Sequence, residues 1–518
     1  MKTLCYLLLH SLILTLFIGT LHAQKNYYVD VVKGDDQNTG TTTTTAWKTL
    51  SKINQQTLIA GDHLLFHAGQ VWEGQLMLIA KGTPNAPIVI DRYGKGTSPH
   101  IQGNGVRQAA VSINNSEYIT IQNLEISNTA PESIRGLSGI LVSINDFGVA
   151  HDIKLLNLFI HDVNGSLVKE QGGGSGILIK NSGRNTPSTF DRLLIENCKI
   201  QRCQRNGIIF NGYSARSNWH PNLNVVIRKN ILDQVPGDGI VPIGCDGVLI
   251  EYNVMRNCSR LLPDTEAAAG IWPWSCDNTI IQYNEVSDHK APWDGQGFDS
   301  DWNCKNTIIQ YNYSHDNEGG FLLICNDGKS KLPFSVGNVG TIVRYNVSVN
   351  DGLRTNLTRS GIFSPIIHVA GTAFNSKIYN NIVYMPKKPS NIIDTTIIQM
   401  TSWNGFPDST YFANNIFYSE GPAVFKFEES SRNFFENNLY FGVQHNRPVD
   451  PAAILDDPQF KSLPDHQGEG FDRLKCFMLQ RTSPAVGSGK LMPNNAEKDF
   501  YGNTIDQKVK RLNIGIQQ

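Results

Sequence analysis

Beyond the apolar segment at its start, the chain has no stretch long and apolar enough to span a bilayer as a helix. It has no excess of either charge. Its 45 Lys and Arg stand against 46 Asp and Glu, which leaves no basic footprint for nucleic acid. It carries no glycine loop of the kind that cradles phosphate, no serine in a nucleophile elbow and no Cys/His spacing of a zinc motif. No linker or low-complexity break sets a separate binding module apart. These absences remove nucleotide, serine-hydrolase and zinc-finger chemistry and leave one continuous unit.

What is present begins with an address. Lys2, the apolar run Leu4 to Ile18 and the small-residue end Leu21-His22-Ala23 read as a signal peptide over residues 1–23, cleaved before Gln24. We therefore expect a secreted or periplasmic protein with no membrane span, acting as a monomer. About 495 residues remain. Their 46 glycines and many Asn and Thr suit short strands joined by tight turns. Eight cysteines follow Cys5. Cys245, Cys276 and Cys304 recur at one place in successive repeats, so they are expected to be stacked, buried and unbridged.

The repeats are plainest in Gly270 to Gly328, where CDNTIIQYN, ending at Asn284, returns as CKNTIIQYN, ending at Asn312. An Asn after an apolar strand recurs at Asn123, Asn157, Asn197, Asn230, Asn253, Asn284, Asn312, Asn346, Asn381, Asn415 and Asn438. Such a period predicts stacked coils rather than a globule. The Asn would form a structural ladder at a turn, in left-handed backbone. A second column starts with Gly139, Gly176, Gly207, Gly239, Gly270, Gly297 and Gly320, each followed by Ile or Phe. If that residue points inward, strand alternation turns the second and fourth residues outward. Those outward pairs read Val241/Ile243, Trp272/Trp274, Asp299/Asp301 and Leu322/Ile324 in successive coils. The fold expected is all-β, a right-handed parallel β-helix over residues 24–518. It comprises a short helical cap and first coils in 24–105, repeat coils in 106–445 and a closing segment in 446–518.

The opening series YYVD, GDD, WKTL, AGDHLLFHAG and GTPNAPIVIDRYG resembles the start of exported right-handed parallel β-helix enzymes. The style is that of polysaccharide lyases of the pectate-lyase-9 type and the alginate lyase/chondroitinase B type. DDPQF, SPAVGSGK and NIGIQQ resemble their closing segment. The resemblance implies a capped β-helix acting on polysaccharide. β-Helix glycoside hydrolases share such openings.

Chemistry is expected where the outward column turns acidic. Asp299 and Asp301 lie two residues apart on one strand, about 6.6 Å between Cα atoms. That pair suits an inverting glycosidase, or two ligands for Ca²⁺, the one cofactor the pattern suggests. Trp272 and Trp274, one coil earlier, offer faces for sugar rings or pack under a turn. His289 and His315 bracket the acidic strand as candidate bases. Lys290, Arg354 and Arg359 could grip an anionic group. Three functions fit: elimination across a uronic acid in an anionic poly- or oligosaccharide, by a lyase or dehydratase; inverting hydrolysis by Asp299 and Asp301; or glycan binding without catalysis. The resemblance to lyases puts elimination first.

Overall fold

Each coil of the central region starts at a glycine because backbone stacks directly on backbone. A Cβ on Gly207 would lie 2.6 Å from the carbonyl oxygen of Gly239, one on Gly239 2.4 Å from that of Gly270, and one on Gly270 2.3 Å from that of Gly297. No side chain fits. The following residue then points inward in every coil. Ile140, Ile177, Ile208, Ile240, Ile271 and Phe298 pair in register and are fully buried.

The computed structural model describes residues 24–357, 362–464, 469–509 and 511–518. Its strands wind into a parallel β-helix. A first sheet of 14 strands and a second of 13 run its length. The third face is cut into two six-stranded pieces, one ending at Ile240–Val241 and one starting at Gln296–Ser300. The cut has a chemical cause. Pro242 and Pro273 occupy stacked positions, shown by the flanking bridges Ile240 to Ile271 and Ile243 to Trp274. Neither has an N–H to donate, so the ladder fails there.

The Gly column is shorter than the spacing implied. Phe298 pairs with Leu322, so Phe321, not Gly320, takes the glycine position. Leu322 and Ile324 therefore point inward, and Leu323 and Cys325 face outward beyond the acids. This corrects the outward pair read at that coil.

The asparagines form two ladders rather than one. Asn230, Asn253, Asn284, Asn312, Asn346, Asn381, Asn415 and Asn438 are buried, and each Oδ1 accepts from the residue stacked before it at 2.9–3.1 Å. Their φ is not left-handed; the residue before each takes that conformation, as at Tyr252, Tyr283, Tyr311 and Tyr345. Those four rings stack at 4.9–5.8 Å. Asn123, Asn157 and Asn197 are left-handed themselves and bond one another on the outside. The pattern slips by one residue between Asn197 and Asn230.

The amino-terminal end is closed by the helix Leu50–Asn54, whose N-cap Thr49 accepts from the Lys52 N–H and whose Leu50 and Ile53 are buried. The closing segment first covers the far end, where Ile454 bridges Leu439 and Asp450 accepts from the Asn437 and Asn438 N–H groups. It then folds back along the tyrosine turn, where Phe477, Leu512, Ile514 and Ile516 pack on Tyr311, Tyr345 and Tyr384. Cys245, Cys276 and Cys304 are buried and unbridged, as are Cys198, Cys203, Cys258 and Cys325, while Cys476 is free and half-buried.

Candidate active site

The gap in the third sheet is where the ionisable residues collect. A cleft of about 250 Å³ opens there, walled by Trp272, Trp274, Trp302 and Trp403, with Lys169, Asp294 and Asp301 as its charged groups. It lies between two larger clefts on the same face. One of about 640 Å³ toward the amino-terminal coils shares Lys169 and Trp274. One of about 600 Å³ toward the carboxy-terminal coils shares Asp294 and Trp403. Together they make a groove along the helix axis that passes the acids.

Asp301 directly follows the strand Gln296–Ser300 that starts the second six-stranded piece. Its Oδ1 accepts from the Trp302 N–H at 2.6 Å and the Cys325 thiol at 3.1 Å. Trp272 is 5% exposed, and its ring N–H donates to Asp238 at 3.1 Å. Asp238 is buried and pairs with Arg205, which also reaches Glu266 at 3.2 Å. Glu266 in turn accepts the Lys169 main-chain N–H at 2.9 Å. That buried network seats Lys169 so that its Nζ stands 5.3 Å from the Trp272 ring and 5.8 Å from the Trp274 ring.

Asp294 comes from the loop before the acidic strand, in left-handed backbone at φ 58°. The loop is clamped from two sides. Ala268 pairs with Asp294, and the Gly295 N–H donates to the Ala268 carbonyl at 2.8 Å. Arg354, itself buried, donates to the carbonyls of Ala291, Pro292 and Asp294. Gly319 must be glycine, because a Cβ there would sit 1.8 Å from the Asp294 carbonyl oxygen.

Burial pushes the Asp294 carboxyl up to about 7, and the charges of Asp301 and Asp238 add to the rise against Arg354 and Lys169. Burial also holds Asp299 well above the ordinary carboxylate range, with Asp294, Asp301 and Asp238 adding to it. Asp301 is raised mainly by burial. Acids this close do not all ionise near neutral pH. The cleft thus holds one carboxyl that keeps its proton to near neutrality beside a second that burial also raises. Two such carboxyls are the parts that acid catalysis of bond cleavage requires.

Of the residues singled out in the sequence, Trp272, Trp274 and Asp301 meet in this cleft. Asp299 lies behind them, 3% exposed, with Oδ1 unpartnered. His289 is fully buried and bonds the Gly237 carbonyl through Nε2 at 3.0 Å, so it faces the interior, not the groove. His315 lies on the second sheet. It pairs with Glu285 at 3.2 Å and Asp316 at 2.8 Å, contacts that hold it protonated up to about 9. An imidazolium on another face is no base for this cleft. Lys290 stands 4.0 Å from Asp288. Arg354 spends its donors on backbone and positions Asp294 instead of gripping a ligand. Arg359 lies outside the described residues. Calcium does not fit the acid pair: Asp301 Oδ1 is taken by an amide and a thiol, and no third carboxylate or histidine joins the pair within ligand distance among the described residues. Asp294 is the residue the spacing missed. Its signal was the Trp293-Asp294-Gly295 turn, where Asp and Gly together mark left-handed backbone.

The profile of the right handed beta helix region matches residues 175–383. A lacto-N-biosidase from Bifidobacterium longum subsp. longum is 26% identical over 94% of the chain, which spans only 36% of that protein's length. The solved structure of a GH136 lacto-N-biosidase from Eubacterium ramulus superposes with a TM-score of 0.58 at 25% identity, covering 79% of this chain and 68% of that one. An alpha-1,3-galactosidase A from Akkermansia muciniphila is 36% identical over 64 residues, 12% of the chain and 11% of that protein. The chain is therefore similar to β-helix proteins named for cleaving glycosidic bonds, beyond the lyase-like opening.

Proposed function

We propose that the chain is an exported glycoside hydrolase, with Asp294 as general acid and Asp301 as the ionised partner. The observation that carries this reading is the meeting of those two carboxyls in one tryptophan-walled cleft, with Asp294 protonated to about pH 7. Asp294 hands its proton to the glycosidic oxygen as the bond breaks. Asp301 acts on the anomeric side, on water or on the anomeric carbon. Trp272 and Trp274 offer sugar-stacking faces. Lys169, over both rings, stands within reach of a sugar hydroxyl or acetamido oxygen.

Elimination from a uronate fits less well. It needs a base and a cation to neutralise the substrate carboxylate. Arg354 is spent and His289 faces inward, which leaves Lys169 as the cation of the cleft, set against Asp294 and Asp301. The relatives named lacto-N-biosidase point the proposal to neutral oligosaccharides of lacto-N-biose type. The test is a panel of such neutral oligosaccharides beside uronate oligomers. New reducing ends without the ultraviolet absorbance of an unsaturated uronate are expected. Unsaturated product would overturn the proposal. Proton NMR of the first-formed anomer then assigns Asp301 to water or to carbon.

A further inference from the structure

We propose that the outer face of the second sheet binds a zinc ion through His100, Glu125 and His161. These residues belong to three consecutive coils. His100 pairs with Glu125, and His161 pairs with Ser127, two residues along on the same face. One ligand atom from each lies within 4.8 Å of the others. Glu125 Oε1 is 3.0 Å from His161 Nε2 and 3.8 Å from His100 Nδ1. Ligands bonded to one tetrahedral zinc at about 2.0–2.1 Å stand roughly 3.3 Å apart, so little movement is needed.

The remaining ring nitrogens are already engaged. His161 Nδ1 meets Asp162 at 2.6 Å, and Asp162 is gripped by Arg202 at 2.6 and 2.7 Å. His100 Nε2 meets Ser127 Oγ at 2.8 Å. Such outer partners orient an imidazole and leave its other nitrogen to the metal. Phe159 stacks on the His161 ring at 4.3 Å and fixes its plane. The three side chains are 12–29% exposed, enough for an ion to enter and too little for free rotation.

The chain contains its own control. On the same sheet, His315 pairs with Glu285 and Asp316, and Tyr313 stacks on it at 4.4 Å, repeating His161, Glu125, Asp162 and Phe159. There the place of His100 is held by Val254, which pairs with Glu285. Glu285 Oε1 accepts instead from the Gly470 N–H at 2.9 Å, so the carboxy-terminal segment closes that copy. A His–Glu–Asp set used only for structure is thus covered. The first copy has a second imidazole, 5.6 Å from the first between centroids, and is left open. Two nitrogens and a carboxylate select zinc over the hard cations Ca²⁺ and Mg²⁺. The ion would tie three coils together near the amino-terminal end, on a different sheet from the groove.

The test is calorimetric titration of Zn²⁺ into the full chain stripped with chelator, with Ca²⁺ and Mg²⁺ as comparisons. One Zn²⁺ per chain at micromolar Kd or tighter is expected, with no Ca²⁺ or Mg²⁺ uptake. His100→Gln and His161→Gln should each weaken binding at least about 30-fold, and His315→Gln should leave it unchanged. Co²⁺ in the same site should show the visible bands of tetrahedral nitrogen and oxygen ligation. Failure of the unaltered chain to take up stoichiometric Zn²⁺ at about 100 µM overturns the proposal whatever the variants do. So does uptake that both His→Gln changes leave intact.

Discussion

Replacing Asp294 by Asn separates the work of its proton from the cost of its charge. The change keeps the volume and removes ionisation. Folded, the carboxyl holds its proton to about pH 7, against an ordinary value of 3.8. Between those values the native state binds more protons than the unfolded chain, so this group makes stability fall as pH rises through that window. The full difference corresponds to about 4 kcal/mol. Cleft water screens a group that is partly exposed, so we take about half, near 2 kcal/mol. Asn cannot ionise. Asp294→Asn should therefore escape that loss and unfold later than the unaltered protein at pH 8, while the two match near pH 4. Denaturant titration at the two pH values reads the difference.

The same substitution should remove the general acid, a loss of about 10²–10⁴-fold in turnover on a natural oligosaccharide. The loss should shrink on aryl glycosides whose leaving group needs no proton. In the unaltered enzyme, kcat/KM should fall as pH rises through about 7, where Asp294 gives up its proton. The acid limb, set by Asp301, should lie above the ordinary carboxylate range. Asp294→Asn should lack the alkaline limb. A variant within threefold of normal turnover, with that limb intact, would refute the acid assignment. A variant less stable at pH 8 would refute the electrostatic reasoning.

Trp274→Ala should raise KM about tenfold or more with stability nearly unchanged, whereas Trp272→Ala should also destabilise by about 3–5 kcal/mol, because that ring is buried against Asp238; kinetics and thermal melts separate them. Gly319→Ala should lower kcat more than it raises KM, since the new Cβ would displace the Asp294 carbonyl; unchanged kcat would show that the loop position does not matter. His315→Gln should leave turnover alone and remove a stabilisation that is fully present below pH 6.5 and lost as pH rises through about 9; unfolding at pH 6 and above pH 9 reads it, and a collapse of kcat would restore His315 as a base. The buried thiols should react with a thiol reagent only after denaturation, and a disulfide-linked peptide among Cys245, Cys276 and Cys304 in a digest would contradict the stacked column.

The fold was legible because coil stacking imposes the same demand at every turn. A stacked carbonyl oxygen where a Cβ would sit forces glycine at 207, 239 and 270, and a buried turn amide forces Asn from 230 to 438. Each demand prints a column in the sequence. The slips came where one position can be met in two ways. Asn197 occupies the left-handed site and Asn230 the buried one beside it, and both look alike in a list of asparagines. Gly320 looks like the next member of the glycine column, but Phe321 takes the place.

The site was half legible for a related reason. Asp299 and Asp301 stood out because they break an apolar column, and Asp301 does line the cleft. Their strand could not show which of the two is sealed; Leu323 of the next coil is what Asp299 pairs with. Lys169 reaches the tryptophans through Glu266 and Arg205, contacts spanning up to 97 residues, which no local spacing encodes. The two histidine sets argue the point most sharply. His161 and His315 sit in the same motif on the same sheet, yet one faces His100 and the other faces Val254 and a returning tail. In a solenoid a residue's chemical neighbours lie about one coil away in sequence, so a spacing scan that finds no zinc motif can pass over a zinc-ready cluster. What separates scaffold from site is the third residue stacked beside the pair, and exchanging His100 for Gln tests that difference with the rest of the motif untouched.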